Sequence, residues 1–177
     1  MTMIIKKSYH RSDTCFFTGH RDIYPGDEGK IRIRLKYHID PLIRKDVKHF
    51  GVGGAIGFDM LAAEYILYLR DDVKKKIKLI SVLPYPDYYS EWPEELIEKQ
   101  KQIIRRSDKI VYTSSSFFND VYAIRNDHLL ASSGYCIAYC RKTTGGTANT
   151  VRKALEEKIP VYNTSSWNIE QLRQKKD

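Results

Sequence analysis

The stretch His49-Phe50-Gly51-Val52-Gly53-Gly54-Ala55-Ile56-Gly57-Phe58-Asp59 decides how this chain folds. A short apolar run at 48–52 enters a glycine-rich turn. From residue 57 the apolar spacing becomes helical, with Phe58, Leu61, Ala62, Tyr65 and Leu69 forming one stripe through residue 70. This is a strand, a tight turn and a helix in direct succession.

The same unit recurs on both sides. Apolar or β-branched runs stand at 14–18, 77–83, 109–113, 134–140 and 159–162. Helix-like stretches lie between them. Residues 93–106 open on Pro93, Glu94 and Glu95 and close on Arg105 and Arg106, matching the two ends of a helix dipole. Residues 147–158 align Ala148, Val151, Ala154 and Leu155. Ile31-Arg32-Ile33-Arg34-Leu35 alternates like a strand, yet Ile31, Leu35, Ile39 and Val47 also fit a helical stripe. Helix is the reading taken, kinked at Pro41. Strands alternating with single helices predict right-handed crossovers. The expected fold is a single-domain α/β Rossmann-like structure over residues 1–177, its mostly parallel sheet covered by helices on both faces.

Composition fits such a domain. The 177 residues include 42% hydrophobic and 29% charged residues, with 13 Tyr, 6 Phe and 2 Trp to bury, which excludes a disordered tail, a collagenous repeat and a coiled-coil rod. No apolar run approaches the roughly 18 residues that span a bilayer. Met1-Thr2-Met3-Ile4-Ile5-Lys6-Lys7 turns polar too early for a secretion signal, so a cytoplasmic protein is expected. Cys15, Cys136 and Cys140 have no C-x-x-C partner and no histidine at zinc-ligand spacing. They read as core residues, with no metal site. His10, His38 and His49 show no partners in sequence. The net charge of +8 is diffuse, its basic residues interspersed with acidic ones and assigned mostly to solvated helix faces, with Arg21 and Arg125 alone at the strand ends.

In parallel sheets ligands bind beyond the carboxyl ends of the strands. Here those ends run into Thr18-Gly19-His20-Arg21, Gly53-Gly54-Ala55-Ile56-Gly57, Pro84-Tyr85-Pro86, Ser114-Ser115-Ser116 and Thr143-Thr144-Gly145-Gly146-Thr147. A glycine-rich turn before a helix exposes backbone N–H groups and a helix N-terminus to an anion, which favours phosphate. For 53–57 a plain tight turn explains the glycines almost as well. For 143–147, two glycines among threonines exceed what one N-cap requires, so ligand binding is favoured. Asp59 either holds a ribose hydroxyl or stabilises the helix end. Arg125-Asn126 lies in a polar stretch before the fifth strand, where Arg125 either clamps a phosphate bidentately or pairs with Asp127 at the surface. His20 and Arg21 carry the same two readings.

Thr18-Gly19-His20-Arg21, Gly53 through Asp59 with Ala62-Ala63-Glu64, Leu83-Pro84-Tyr85, Arg125-Asn126 and Gly145-Gly146-Thr147 with Thr150, in that order, resemble the SLOG superfamily. That group joins the DNA-processing protein A domain to the Lonely Guy phosphoribohydrolases. The likeness is to its YpsA-like branch of small bacterial and phage proteins and spans about 14–162. It implies a Rossmann-like domain with a nucleotide-type pocket at the strand ends. Lonely Guy enzymes cleave an N-glycosidic bond with a P-G-G-x-G-T-x-x-E segment and an arginine. Here Thr150 stands where the glutamate belongs, and a threonine supplies no carboxylate. Such chemistry would need Asp59 or Glu64 in its place, with Arg125 matching the catalytic arginine in role only. The DNA-processing branch shares the Gly-Phe-Asp and Arg-Asn elements and binds single-stranded DNA.

The expectation is binding of a nucleotide or nucleotide-derived anion, as a sensor or regulator, with no required cofactor. Gly19, His20, Arg21, Gly53, Gly54, Gly57, Asp59, Arg125, Asn126, Gly145, Gly146 and Thr147 are the expected ligand contacts. Catalytic candidates are Glu64, Asp59 and Arg125. The alternatives are a nucleotide N-glycosidase and a single-stranded DNA-binding protein. Nucleic acid is an admissible partner without being required, a membrane is not expected, and a homodimer is compatible with the chain.

Overall fold

Residues 11–173 are described by the computed structural model. Met1–Lys7 and His10, weighed above, lie outside the described residues. The strands are β1 (Thr14–Gly19), β2 (His49–Val52), β3 (Lys78–Leu83), β4 (Lys109–Tyr112), β5 (Tyr135–Tyr139) and β6 (Val161–Asn163). The helices are α1 (Asp27–Arg44), α2 (Phe58–Asp71), α3 (Glu94–Arg106), α4 (Val121–Ala131) and α5 (Gly146–Glu156). All strand pairings are parallel, in the order β4-β3-β2-β1-β5-β6.

The chain therefore lays down β1 to β4 in one direction, then returns past β1 to add β5 and β6. Right-handed crossovers put the helices of the two halves on opposite faces. One core joins α1, α2 and α3 to the sheet through Ile31, Leu35, Ile39, Phe58, Ile66 and Ile103. The other joins α4 and α5 through Leu129, Leu130, Val151 and Ala154. Cys15, Cys136 and Cys140 are fully buried in and beside β1 and β5, and burial pushes all three thiols up.

The ambiguous segment is helical. It begins at Asp27 and buries Ile31, Leu35, Ile39 and Leu42, with Pro41 confined to the last turn. Two expectations need correction. Residues 122–128, read as a polar stretch, lie within α4, whose buried stripe includes Val121, Arg125 and Leu129. His38 and His49 are not partnerless: His38 stacks on Tyr162 at 5.3 Å between centroids, and His49 Nδ1 lies 3.5 Å from Asp13.

Candidate functional site

Reversal of strand order between β1 and β5 opens a crevice at their carboxyl ends, the place where this architecture binds ligands. A cavity of about 650 Å³ occupies it. One wall is the continuous segment Thr18–Pro25 leaving β1, and another is Arg141 and Lys142 leaving β5. Gly145, Gly146 and Thr147 at the start of α5 close one end. Tyr122, Arg125 and Asn126 of α4 and Ala55 and Asp59 from the β2–α2 turn complete the lining.

Of the expected contacts, Gly19, His20, Arg21, Asp59, Arg125, Asn126, Gly145, Gly146 and Thr147 do line this cavity. Gly53, Gly54, Gly57 and Glu64 do not. Glu64 lies on α2 with Oε1 3.1 Å from Lys99 Nζ of α3, so it reaches an ion pair rather than the crevice.

The three glycines answer to packing. A Cβ on Gly53 would come within 2.6 Å of Arg125 Nη1. Gly54, at φ 71°, passes under Tyr88, whose hydroxyl donates to the Gly54 carbonyl at 2.6 Å. Gly57, at φ 84°, has the Arg21 carbonyl oxygen 2.0 Å from where its Cβ would stand. Two N–H groups of this turn are also occupied. Those of Gly53 and Ala55 donate to Asp59 Oδ2 at 3.1 and 3.2 Å, so the chain's own carboxylate sits where a phosphate was expected.

Arg125 is 6% exposed, donates to the Gly53 carbonyl, and donates from Nε to Asn126 Oδ1 at 2.9 Å. Burial pushes Asp59 up and Arg125 down, and each opposes the shift of the other through its charge. Arg125 is thus a buried brace, not a surface partner of Asp127, which pairs with Lys153 at 2.6 Å.

The turn before α5 is different. Its glycines approach nothing closely: a Cβ on Gly145 meets only Lys142 Cε at 4.0 Å, and one on Gly146 only Asn126 Nδ2 at 3.9 Å. No side chain caps α5, and the N–H groups of its first turn have no partner within the helix where Gly145, Gly146 and Thr147 line the cavity. Thr150 Oγ1 donates to the Gly146 carbonyl at 2.9 Å, which turns it into the helix rather than the cavity.

Arg141 and Lys142 were not among the residues expected here, so the cations at the strand ends are not limited to Arg21 and Arg125. Arg141 lies 4.1 Å from the centroid of the Tyr24 ring and pairs with Asp27. Its backbone N–H donates to His20 Nε2 at 2.9 Å, which leaves the imidazole proton on Nδ1. Burial, followed by Lys142 and Arg141, holds the His20 pKa below the ordinary value. Tyr139, fully buried, donates to Asp27 Oδ2 at 2.8 Å and accepts from the Tyr24 N–H at 3.2 Å. Hydrogen bonding to Tyr139, and then to Arg141, lowers the Asp27 carboxyl. The only sequence signal for Arg141 and Lys142 was their place directly after a buried strand.

The family model of the YspA SLOG family matches residues 15–174. Among curated proteins none matches at a significant level. Among solved structures, DNA processing protein A from Helicobacter pylori, described for its single-stranded DNA binding mode, aligns with a TM-score of 0.59 at 18% identity, over 84% of this chain and 63% of that one. DNA processing protein A from Streptococcus pneumoniae aligns with a TM-score of 0.58 at 16% identity, over 84% of this chain and 48% of that one. The chain thus spans about half to two thirds of the length of these neighbours, and the likeness is one of fold.

Proposed function

The chain belongs to the YspA SLOG family, and from that premise we propose that its strand-end cavity binds a nucleotide or nucleotide-derived anion. The observation that carries this reading is the uncapped start of α5 facing a switch-point cavity lined by Arg21, Arg141 and Lys142. Phosphate would lie on the N–H groups of Gly146 and Thr147, with Arg141 and Lys142 supplying charge. Arg125 and Asp59 would shape the wall, holding the β2–α2 turn in place instead of touching phosphate. A cytoplasmic location and a regulatory role belong to the same reading.

Binding is preferred to N-glycosidic hydrolysis on positional grounds. Thr150 is bonded into α5 and Glu64 is paired with Lys99, while Asp59, the one expected carboxylate on the cavity wall, has Oδ2 engaged by two backbone N–H groups. General acid–base work needs a carboxyl group within reach of the scissile bond. Incubation with nucleoside monophosphates is expected to release no free base.

The fold shared with DNA processing protein A, one example of which binds single-stranded DNA, supports extending the ligand class to nucleic acid. Calorimetric titration with nucleoside monophosphates and ADP-ribose tests the cavity assignment. Binding at sub-millimolar concentration that is weakened at least roughly tenfold by Arg141→Ala is expected, since a charge-assisted contact contributes on the order of 1.5–3 kcal/mol. Absence of binding by every ligand, or an unchanged affinity in Arg141→Ala, would reject it.

A further inference from the structure

The segment from β4 into α4 exposes more apolar surface than its neighbours require. Ile110, Tyr112, Phe117, Phe118 and Ile124 are each 40% exposed or more, and Phe117 reaches 60%. Exposed large apolar side chains gathered in one segment of chain are candidates for binding a partner.

One of these residues, Phe117, connects to the cavity wall through Tyr85. Tyr122, on the cavity wall, has the Arg21 guanidinium 5.7 Å and the Arg125 guanidinium 5.9 Å from its ring centroid. Tyr122 neighbours Tyr85 of the β3–α3 loop closely enough to raise its pKa. Tyr85 in turn meets Phe117 edge to face, with centroids 6.1 Å apart and planes at 74°. Arg21, Tyr122, Tyr85 and Phe117 thus succeed one another from the cavity wall to the protein surface.

We infer that this aromatic ledge is a second base-binding subsite, and that the ligand is a single strand of nucleic acid rather than a lone nucleotide. The inference rests on the cavity reading above. One nucleotide would occupy the cavity, and the neighbouring base would stack on Phe117 and Tyr85. A ligand confined to the cavity leaves the ledge unused. A strand uses both, because its backbone carries negative charge past Arg21 while its unpaired bases offer π-faces to the aromatics. A duplex is unsuited, since its base faces are already stacked on one another.

Phe117 sits in a loop and is largely exposed, so replacing it spares the fold. Fluorescence titrations would compare thymidine monophosphate with an oligothymidylate of about a dozen nucleotides. Wild-type protein is expected to bind the oligonucleotide at least roughly tenfold more tightly, with an affinity that falls as salt is raised. Phe117→Ala should lose roughly tenfold for the oligonucleotide and nothing for the mononucleotide, and Phe117→Trp should restore the loss. Arg141→Ala should weaken both ligands. Equal wild-type affinity for the two ligands, or an unchanged oligonucleotide affinity in Phe117→Ala, overturns the ledge while leaving the cavity reading intact. Full rescue by Phe117→Leu also overturns it, leaving the patch to an apolar protein partner. If wild-type protein binds neither ligand, the cavity reading fails and the ledge with it.

Discussion

The turns at 53–57 and 143–147 both carry glycines between a strand and a helix, yet the fold puts them to opposite uses. In the first, Asp59 turns back to accept the Gly53 and Ala55 N–H groups, while Arg125 fills the space beside Gly53. The turn has internalised both the anion and the cation that such a motif recruits from outside. In the second, no side chain caps α5 and the nearest neighbour of either glycine stands at van der Waals distance or beyond. A glycine-rich turn is therefore closed to an outside anion where the chain has already supplied its own carboxylate.

The widest separation between the two turns should come from Asp59→Ala. It strands the Gly53 and Ala55 N–H groups, at about 1–3 kcal/mol each, and leaves buried Arg125 without the opposing charge of Asp59, so a fall in Tm of roughly 10 °C by calorimetry is expected. Little change would mean that the first turn is not held from within. Gly57→Ala comes next, because its φ of 84° and the Arg21 carbonyl beside it leave no place for a methyl group. A loss of about 2 kcal/mol or more in denaturant titration is expected. In the second turn, Gly146→Ala, at a glycine without positive φ and with open space about it, should stay within about 0.5 kcal/mol of wild type. If both glycine variants lose equally, the contrast collapses.

The smallest effect concerns pH. The folded-state pKa of His20 lies below its unfolded value of about 6.5. Between those two values the unfolded chain binds the extra proton, so stability is full above about pH 7 and is lost as pH falls below it. His38 and His128 are shifted in the same direction, also by burial. Tm measured from pH 7.5 to about 5 should decline with acidity, and His20→Gln should flatten only part of that decline. A slope identical to that of wild type would show that the His20 contact with the Arg141 N–H is not maintained in solution.

Strand–helix alternation was legible because β1, β3 and β5 are buried on both faces and so appear as near-continuous apolar runs. The strand ends were legible for the same reason, since glycine and threonine break those runs abruptly. α4 was hidden by Arg125. A charged residue at a buried stripe position lowers the apparent amphipathicity, and its compensation by Asp59 from another element has no local signature. Arg141 and Lys142 follow β5 with no spacing motif, and only the strand order brings them opposite Arg21. The aromatic ledge was equally unreadable, because Tyr85, Phe117 and Tyr122 come from two loops and a helix that meet only through the pairing of β3 with β4.

The Tyr139 hydroxyl, seated between Asp27 and the Tyr24 N–H, has a consequence for the energetics of recognition. Together with the Arg141 N–H on His20, it fastens the 20–27 segment to β5 at both ends before any ligand arrives. A wall already ordered surrenders little conformational entropy on binding, and no loop closure slows encounter. Ligand association with this cavity should accordingly proceed in one kinetic phase, linear in ligand concentration, with the cavity's selectivity expressed in how slowly the complex comes apart.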